Sequence, residues 1–279
     1  MFKILRKTEL APDIWEMEVA APQIAQKARP GQFVVAMADE RGERIPLTIA
    51  DFTPDAGSIT LVVMVVGTST VKLSRLGEGD KLYALIGPLG HASRIEPCQA
   101  VAMVAGGVGA APVYPIARAF HQQGSRVITI QGARHKALLF WTDRLASVSQ
   151  QHQVTTDDGS AGHKGLVTET LKEVLAADTQ KQIGCVYAIG PTPMMEFCAK
   201  TTEPFGVKTV VSLNSIMVDG TGMCGGCRVE VGGRTFFTCI DGPEFDGHQV
   251  NWELLTARQK TYRHQENCAF EKTLNTRTG

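Results

Sequence analysis

The sequence has no excess of charge, no long apolar run and no repeated or low-complexity segment. Its 28 Lys and Arg residues balance 28 Asp and Glu residues, so no global field draws the chain to nucleic acid, and no nucleic-acid partner is expected. No stretch reaches the roughly 18 apolar residues of a spanning helix, so no membrane insertion is expected. The first residues also lack the apolar core of a signal peptide, which predicts a cytoplasmic location.

A catalytic constellation is lacking as well. The seven His residues do not have the spacing of metal ligands, and most are interpreted as surface or loop residues. No Ser, His and Asp arrangement suggests nucleophilic catalysis, and no catalytic residue is predicted. What the chain does have is 279 residues, of which 43% are hydrophobic and 20% charged. This is the balance of a globular protein with at least two domains.

The first part of the chain, residues 1–96, has the pattern of a small antiparallel barrel. Short strand-like runs alternate with Pro- and Gly-containing turns, and one or two helical turns fit at residues 69–76. The clearest strands are predicted at residues 14–20, 31–38, 44–52 and 58–66.

The pattern changes in residues 97–213, where apolar strands alternate with helix-length segments. This alternation predicts a doubly wound parallel sheet, with ligands beyond the carboxyl ends of its strands. Strands are predicted at residues 100–105, 126–131, 152–157, 184–190 and 208–213, and helices at 110–123, 138–148, 166–176 and 193–205. The remaining part, residues 214–279, has a Cys- and Gly-rich stretch followed by one predicted helix at 252–272.

Three small-residue loops follow strands of this sheet. Gly106, Gly107 and Gly109 follow the first strand, and glycines there permit a close approach of backbone to a pyrophosphate at a helix N-terminus. Alone this loop is equally well explained as a packing turn, because it is not the G-x-G-x-x-G fingerprint. Two further loops on the same edge favour a nucleotide cleft. Their candidate binding residues are Asp157, Gly190, Pro191 and Met194.

The end of the second strand does not settle which nucleotide would bind. No acidic residue closes that strand, and Arg134, His135 and Lys136 follow it instead. These cations are able to hold a 2′-phosphate, so both NAD(H) and NADP(H) stay open.

The cysteines concentrate in one segment with a specific spacing. Asp219, Cys224, Cys227 and Cys239 give D-x4-C-x2-C-x11-C, which follows the plant-type [2Fe–2S] pattern with aspartate at the first position. A structural zinc site and unligated thiols are the alternatives, but zinc sites usually have two C-x2-C pairs or a Cys/His mixture. The predicted ligands are therefore these four residues, with Cys268 as the rival fourth ligand.

Together, the barrel, the three loops and the cysteine spacing resemble a known family over essentially the whole chain. The chain resembles the electron-transfer subunit of NAD-dependent dihydroorotate dehydrogenase. It is still more similar to the small subunit of NADH-dependent ferredoxin:NADP oxidoreductase and its sulfide dehydrogenase relatives, within the ferredoxin reductase superfamily. Aspartate at position 219, where the dihydroorotate branch has cysteine, favours the second branch.

The resemblance implies an FAD site on the barrel. Thr48 matches the hydroxyl that hydrogen-bonds the flavin ring, and Leu47 stands at the position of a stacking tyrosine. Arg44 lies one place before the position of the family's arginine, which Ile45 occupies. The other residues that match flavin-contacting segments are Pro46, Val62, Val63, Met64, Gly67 and Thr68.

The implied function is an electron relay. An NAD(P)H-dependent oxidoreductase subunit would pass electrons between NAD(P)H, FAD and a [2Fe–2S] cluster, and exchange them with a larger flavin and iron–sulfur partner subunit in a heteromeric complex. Ferredoxin would be reached through that subunit. Hydride transfer depends on proximity and orientation more than on an acid–base pair, which suits the missing constellation. The alternatives are a dihydroorotate dehydrogenase subunit, a stand-alone flavin reductase and a non-catalytic nucleotide-sensing module.

Overall fold

The computed structural model describes residues 2–275 and contains two seven-stranded sheets and a small hairpin. The first sheet is antiparallel, and its strands follow the order β6-β1-β2-β5-β4-β3-β7. Because the edge strands β6 and β7 are consecutive in the chain, the sheet curls into a nearly closed barrel, as predicted. The strands are β1 Phe2–Ala11, β2 Ile14–Ala20, β3 Phe33–Met37, β4 Ile45–Thr53, β5 Ser58–Met64, β6 Lys81–Leu82 and β7 Ala84–Leu89.

Two helices belong to the barrel. The short α1, Pro22–Ala25, follows β2, and α2, Thr68–Arg75, lies over one end of the barrel with Val71 and Leu73 buried. The predicted strand at residues 31–38 is shorter, since Gly31 has a φ of +84° and the strand begins at Phe33.

The second sheet has the order β11-β10-β9-β8-β12-β13-β16, and all of its pairs except β13–β16 are parallel. This confirms the doubly wound architecture. The central strand β8 is buried along its whole length, as expected for a sheet covered on both faces. The strands are β8 Ala100–Gly106, β9 Arg126–Ala133, β10 Gln151–Thr156, β11 His163–Lys164, β12 Ile183–Ile189, β13 Lys208–Ser212 and β16 Glu244–Asp246.

Helices cover both faces of this sheet. α3 and α4 share a core with the barrel residues Ile14, Ala50 and Val62, whereas α5 and α6 pack on the other face. The helices are α3 Ala110–Gln122, α4 Thr142–Ser147, α5 Val167–Ala177 and α6 Thr192–Thr202. The predicted helix at 138–148 was too long, because Trp141 adopts a left-handed φ of 55° and α4 starts only after it.

The third part of the chain is built around a hairpin. It contains β14, Arg228–Val231, and β15, Arg234–Phe237, followed by the short helix α7, Thr238–Asp241. Its strand β16 joins the parallel sheet beside β13.

The single helix predicted at residues 252–272 was wrong. The chain forms α8, Trp252–Gln259, and α9, Arg263–Asn275, separated by a turn. The Thr261 side chain hydrogen-bonds the carbonyl of Arg258 at 2.7 Å and helps to end α8. In the stretch from residue 2 to residue 275, no helix combines the length and apolar character needed to cross a membrane.

Candidate functional site

The glycine loops after β8 and β12 meet at the carboxyl edge of the parallel sheet. A Cβ atom at Gly106 would collide with the sulfur of Met194, and one at Gly109 would collide with the carbonyl oxygen of Ile189. At Gly190 an added Cβ would lie 2.9 Å from the same sulfur. The glycines therefore permit the close approach of the two loops. The structure thus brings together the predicted residues of the two loops, Gly106, Gly107, Gly109, Gly190, Pro191 and Met194.

The first of these loops leads into α3 through a single 3-10 turn, Gly107–Gly109. Gly107 has a φ of +54°, and the position of its absent side chain is open space. No acidic residue occurs in the first turn of α3. The loop therefore presents an open, uncharged helix N-terminus, which is suited to a phosphate group.

The third loop follows β10, two strands from β8 in the sheet, and hydrogen bonds join it to the end of β9. The N–H of Asp158 donates to the carbonyl of Arg134 at 3.2 Å, and the N–H of Lys136 donates to the Ser160 hydroxyl at 2.7 Å. Hydrogen bonds from Ser160 hold the pKa of Asp158 below its usual value. The cations and the exposed Asp157 and Asp158 thus border the same edge of the cleft.

Strand β4 presents the predicted flavin residues on two different faces. Thr48 pairs with Phe33 and Pro46 pairs with Val35, so these four side chains share one face of the sheet. Leu47 lies on the other face, where it packs against the barrel core. Arg44 lies exposed just before the strand begins.

The second predicted flavin segment runs from β5 to the start of α2. Val62 contacts the core shared with the parallel sheet, Val63 lies in the barrel core, and Met64 is 40% exposed. Gly67 is the N-cap of α2, and no atom lies within 4 Å of an added Cβ there. Gly67 therefore opens onto free space at the helix N-terminus, whereas the Thr68 hydroxyl lies 3.1 Å from the hydroxyl of Thr273.

The cysteine segment brings two of its thiols into direct contact. The sulfurs of Cys227 and Cys239 lie 3.2 Å apart, and both residues are buried. Burial raises the pKa of the Cys239 thiol to about 12. Two buried, adjacent thiols are costly as thiolates unless a metal compensates the charge.

The other two predicted ligands are linked through the backbone of their loop. The carboxylate of Asp219 accepts hydrogen bonds from the backbone N–H groups of Thr221, at 2.5 Å, and Cys224, at 2.7 Å. These bonds, that from Thr221 first, lower the pKa of Asp219 to about 2. Asp219 is therefore ionised at neutral pH, as a ligand to iron must be.

Backbone N–H groups also point at the sulfurs. Gly226 donates to Cys224 Sγ at 3.3 Å, Cys239 donates to Cys227 Sγ at 3.5 Å, and Gly222 donates to Cys239. Hydrogen bonds of this kind stabilise thiolates and tune the potential of an iron–sulfur cluster. The residues present therefore fit a cluster, and zinc is less well matched because no histidine joins them.

Cys268, the rival ligand, lies on α9 at an exposed position, with its sulfur 3.7 Å from Nδ1 of His264. Within the described part of the chain, no three His, Cys, Asp or Glu side chains converge on one point that would hold a single ion. A [2Fe–2S] cluster has two irons with two protein ligands each. Two pairs of ligands are therefore required, rather than a group of three.

The paired cysteines lie against the barrel. Cys227 and Cys239 share a small buried cluster with Phe33 and Val35 of β3, together with Leu89 of β7. An added Cβ at Gly220 would lie 2.5 Å from a methyl carbon of Val35. The cysteine segment therefore packs on the face of β3 that continues onto Thr48 and Pro46 of β4.

Sequence reasoning missed two buried acidic groups at the contacts between the parts of the molecule. Glu16 of the barrel accepts hydrogen bonds from Arg6, at 2.9 Å, and from the indole of Trp141, at 2.8 Å. Glu244 of β16 accepts one from Ser93 at 2.5 Å, and burial raises its pKa to about 7. Trp141 lies 125 residues from Glu16 and Ser93 lies 151 residues from Glu244, so no local pattern marks these two contacts.

Comparison with known proteins identifies two regions by family models. Residues 103–200 match the oxidoreductase NAD-binding domain, and residues 214–251 match the iron–sulfur cluster binding domain of dihydroorotate dehydrogenase B. These regions contain the glycine loops and the cysteine spacing, respectively.

Relatives that match over most of the chain are consistent with these two family models. A Thermotoga maritima protein described as a dihydroorotate dehydrogenase B (NAD(+)) electron transfer subunit homolog is 46% identical over 98% of this chain and 96% of its own length. A chain in the structure of an NADH-dependent reduced ferredoxin-NADP oxidoreductase, described in connection with flavin-based electron bifurcation, has a TM-score of 0.92 and 45% identity over 98% of both chains. A ferredoxin NADP+ reductase from Neisseria gonorrhoeae, at 18% identity, TM-score 0.63 and coverage of 74% of this chain and 90% of that one, shares the fold.

Proposed function

This chain belongs to the family of dihydroorotate dehydrogenase B electron transfer subunits and their ferredoxin-NADP oxidoreductase homologues, and from that premise we propose that it relays electrons between NAD(P)H and a larger partner subunit. The relay uses FAD on the barrel and a [2Fe–2S] cluster in the cysteine segment. FAD bound to the barrel would supply two-electron exchange with the nicotinamide and one-electron exchange with the cluster.

The observation that carries the proposal is the position of the cysteine pair on the barrel. Cys227 and Cys239 pack against Phe33 and Val35, on the face of the sheet that also presents Thr48 and Pro46. A flavin held by Thr48 would therefore lie on the same face as the cluster. This shared face keeps the two redox groups close, as electron transfer between them requires.

For the cluster we assign two pairs of ligands. Cys227 and Cys239 hold one iron, since their sulfurs are already adjacent at 3.2 Å. Asp219 and Cys224 hold the other, since the N–H of Cys224 ties the two residues together at 2.7 Å. The backbone N–H groups around the sulfurs then compensate the thiolate charge.

For the flavin we assign two segments of the barrel, namely β4 with the turn before it and the stretch from β5 to the start of α2. Thr48 and Pro46 contact the ring from β4, Arg44 supplies charge from the preceding turn, and Leu47 supports the strand from the barrel core. Val62, Val63 and Met64 border the ribityl chain, and the N-terminus of α2 holds the phosphates through Gly67 and Thr68.

For the nucleotide we assign the cleft between the glycine loops. Gly106, Gly107 and Gly109 place backbone N–H groups at the pyrophosphate, while Gly190, Pro191 and Met194 form the opposite wall. We assign Asp157, whose N–H donates to the carbonyl of Ala133 at 3.2 Å, to the adenosine end. A carboxylate there favours the ribose 2′-hydroxyl of NADH, whereas the cations that follow β9 favour the 2′-phosphate of NADPH. Comparing KM for the two nucleotides decides the preference.

The partner is a larger flavin and iron–sulfur subunit that exchanges electrons with ferredoxin. Cys224 is exposed and Met223 is 89% exposed, so the cluster segment presents an apolar surface at which such a subunit docks. In the alternative, the partner oxidises dihydroorotate, which the name of the matching cluster domain favours.

An anaerobic visible spectrum of the purified chain, recorded before and after adding NADH, tests the relay. Flavin bands over a broad iron–sulfur absorption, both bleached by NADH, are the expected result. A protein with flavin bands and no iron–sulfur absorption would be a simple reductase, and a protein that binds nucleotide without any reduction would be a sensing module.

A matched substitution separates the two cofactors. Cys224→Ser is expected to keep flavin reduction by NADH and to abolish electron delivery to the partner subunit. Full activity of this variant in the complex would contradict the relay. Adding the partner that uses ferredoxin or the one that uses dihydroorotate to the wild-type chain then distinguishes the two branches.

A further inference from the structure

The C-terminal helix α9 reaches the barrel rather than the cysteine pair. It packs against α2, and the hydroxyls of Thr273 on α9 and Thr68 on α2 lie 3.1 Å apart. Thr68 is the first residue of α2, directly after the Gly67 N-cap. A helix more than 200 residues away in the chain thus contacts the start of α2.

The position of α9 needs an explanation, since the helix has little apolar contact of its own. From Arg263 to Ala269 every residue is exposed. A polar helix of 13 residues is marginal in water without tertiary contacts. The contact with α2 is therefore a substantial part of what holds α9 in place.

The start of α2 has the properties of an anion site. Its first turn has no acidic residue, and space is open around Gly67. The Ser69 hydroxyl donates to the carboxylate of Glu43 at 2.6 Å, so the exposed Glu43 side chain is a competing anion at this turn. The helix dipole favours an anion here, and a phosphate would have to replace Glu43.

We propose that α9 completes the phosphate end of the flavin site, with Thr273 as a positioning residue for Thr68. This rests on the FAD site proposed above. Either hydroxyl is able to donate in the Thr68–Thr273 hydrogen bond. When Thr273 donates to Thr68, the proton of Thr68 is free to point at a phosphate oxygen, and its lone pair is already satisfied.

The donor of this bond is able to change because Thr273 has a second acceptor. Its hydroxyl also lies 2.9 Å from the carbonyl of Ala269 on the preceding turn. The Thr273 hydroxyl donates to the carbonyl of Ala269 in this arrangement. With a phosphate bound, the Thr273 proton would turn to Thr68 and the Thr68 proton would turn to the phosphate, which would give a charge-assisted hydrogen bond from Thr68.

Flavin titrations of the deflavinated full chain test this role. Thr68→Val and Thr273→Val are each expected to raise the Kd for FAD about three- to tenfold, the equivalent of one lost hydrogen bond. Both should also weaken FMN, whose phosphate occupies the same end, and leave the Kd for riboflavin unchanged. The double variant should be no weaker than Thr68→Val, because Thr273 acts through Thr68.

A second pair of variants tests the helix itself. Ala269→Pro interrupts α9, so it should weaken FAD at least as much as Thr273→Val. Arg263→Pro, at the first helical position where proline is tolerated, is the matched control and should bind FAD normally. Equal weakening of FAD and riboflavin in Thr273→Val, or unchanged FAD binding in both Thr273→Val and Ala269→Pro, would overturn the inference. A wild-type chain that binds neither FAD nor FMN would instead reject the proposed flavin site.

Discussion

Asp219 is the one proposed cluster ligand that is not a cysteine. A carboxylate is a harder ligand than a thiolate, so in this position it would give the cluster an environment different from that of four thiolates. We expect Asp219→Cys to retain the cluster and to shift its midpoint potential. A redox titration followed by electron paramagnetic resonance measures both the cluster content and the potential.

Cys268→Ala is the matched control for this experiment. Cys268 lies exposed on α9, with its sulfur 3.7 Å from Nδ1 of His264, so the substitution should leave the spectrum and the potential unchanged. Loss of the cluster in Cys268→Ala, with retention in Asp219→Ala, would transfer the ligand role to Cys268.

Glu244 makes stability depend on pH. Burial raises the pKa of its carboxyl from 4.5 to about 7 in the folded protein. Below pH 4.5 the group is protonated in both states and has no effect. As the pH rises from 4.5 through 7, the unfolded chain loses the proton first, so folding stability falls and the full cost is present above pH 7.

Glu244→Gln should remove this dependence while keeping the hydrogen bond to Ser93. We expect the variant to be more stable than the wild type by about 1–3 kcal/mol at pH 8, with a smaller difference at pH 5. Urea unfolding at the two pH values measures it. Glu173→Gln, an exposed substitution on α5, is the control, and an equal gain there would show that the effect is not specific to Glu244.

Among the elements, the loop between β8 and α3 depends on the absence of a side chain. Gly109 has a φ of −60°, which alanine adopts easily, so the cost of Gly109→Ala is steric. Its Cβ would collide with the carbonyl of Ile189 and separate the two walls of the nucleotide cleft. We expect about tenfold weaker NADH binding and a loss of about 1–3 kcal/mol in unfolding free energy.

Gly184→Ala is the matched substitution in the same sheet. Its Cβ would lie 3.4 Å from the Cβ of Cys98, an ordinary contact at the other end of β12. NADH titration and urea unfolding of the two variants, side by side, measure the effect. Normal NADH binding by Gly109→Ala would mean that the close approach of the loops does not shape the cleft.

The elements also show where periodicity is a sufficient guide and where it is not. The five long parallel strands lie where the alternation of strands and helices predicted them. β8 and β12 are apolar runs, whereas β10 is largely polar (QHQVTT) and is located by its place in the alternation. The helix predicted at 138–148 begins later, at Thr142. Trp141 precedes it, and its indole N–H donates to the carboxylate of Glu16, 125 residues away in the chain. Periodicity contains no information about such a partner.

In the molecule as a whole, Glu16 joins the barrel to the parallel sheet. Its side chain is 5% exposed, and it contacts Arg6 and Trp141 directly, with Arg144 at 3.6 Å. Arg118 of α3 makes a second bridge to Asp51 of β4 at 2.7 Å. These contacts set the orientation of the nucleotide cleft relative to the flavin face.

We expect Glu16→Gln to lower the unfolding free energy by about 1–3 kcal/mol, because a buried partner of two cations loses its charge. The rate of flavin reduction by NADH should fall as well, since hydride transfer depends on the relative position of the two parts. Stopped-flow absorbance measures the rate. Glu18→Gln is the control, because Glu18 is a neighbouring and more exposed carboxylate. Equal rates of flavin reduction in the two variants would mean that the Glu16 contact does not affect hydride transfer.

The local chemistry of the chain follows from the order of its residues. Three features depend only on neighbours within a short stretch: the cysteine spacing, the glycine loops and the alternation of strands and helices. They can therefore be recognised in the sequence before the fold is known. The NAD-binding and iron–sulfur domains could therefore be predicted as separate segments, and with them the family.

The relation between these segments depends on contacts distant in the chain. Three contacts join residues that no local pattern connects. Cys227 and Cys239 pack on β3, β16 joins the parallel sheet, and Thr273 contacts Thr68. Only the folded chain decides them, because the burial of apolar faces selects which surfaces meet, and that choice depends on all of the elements at once.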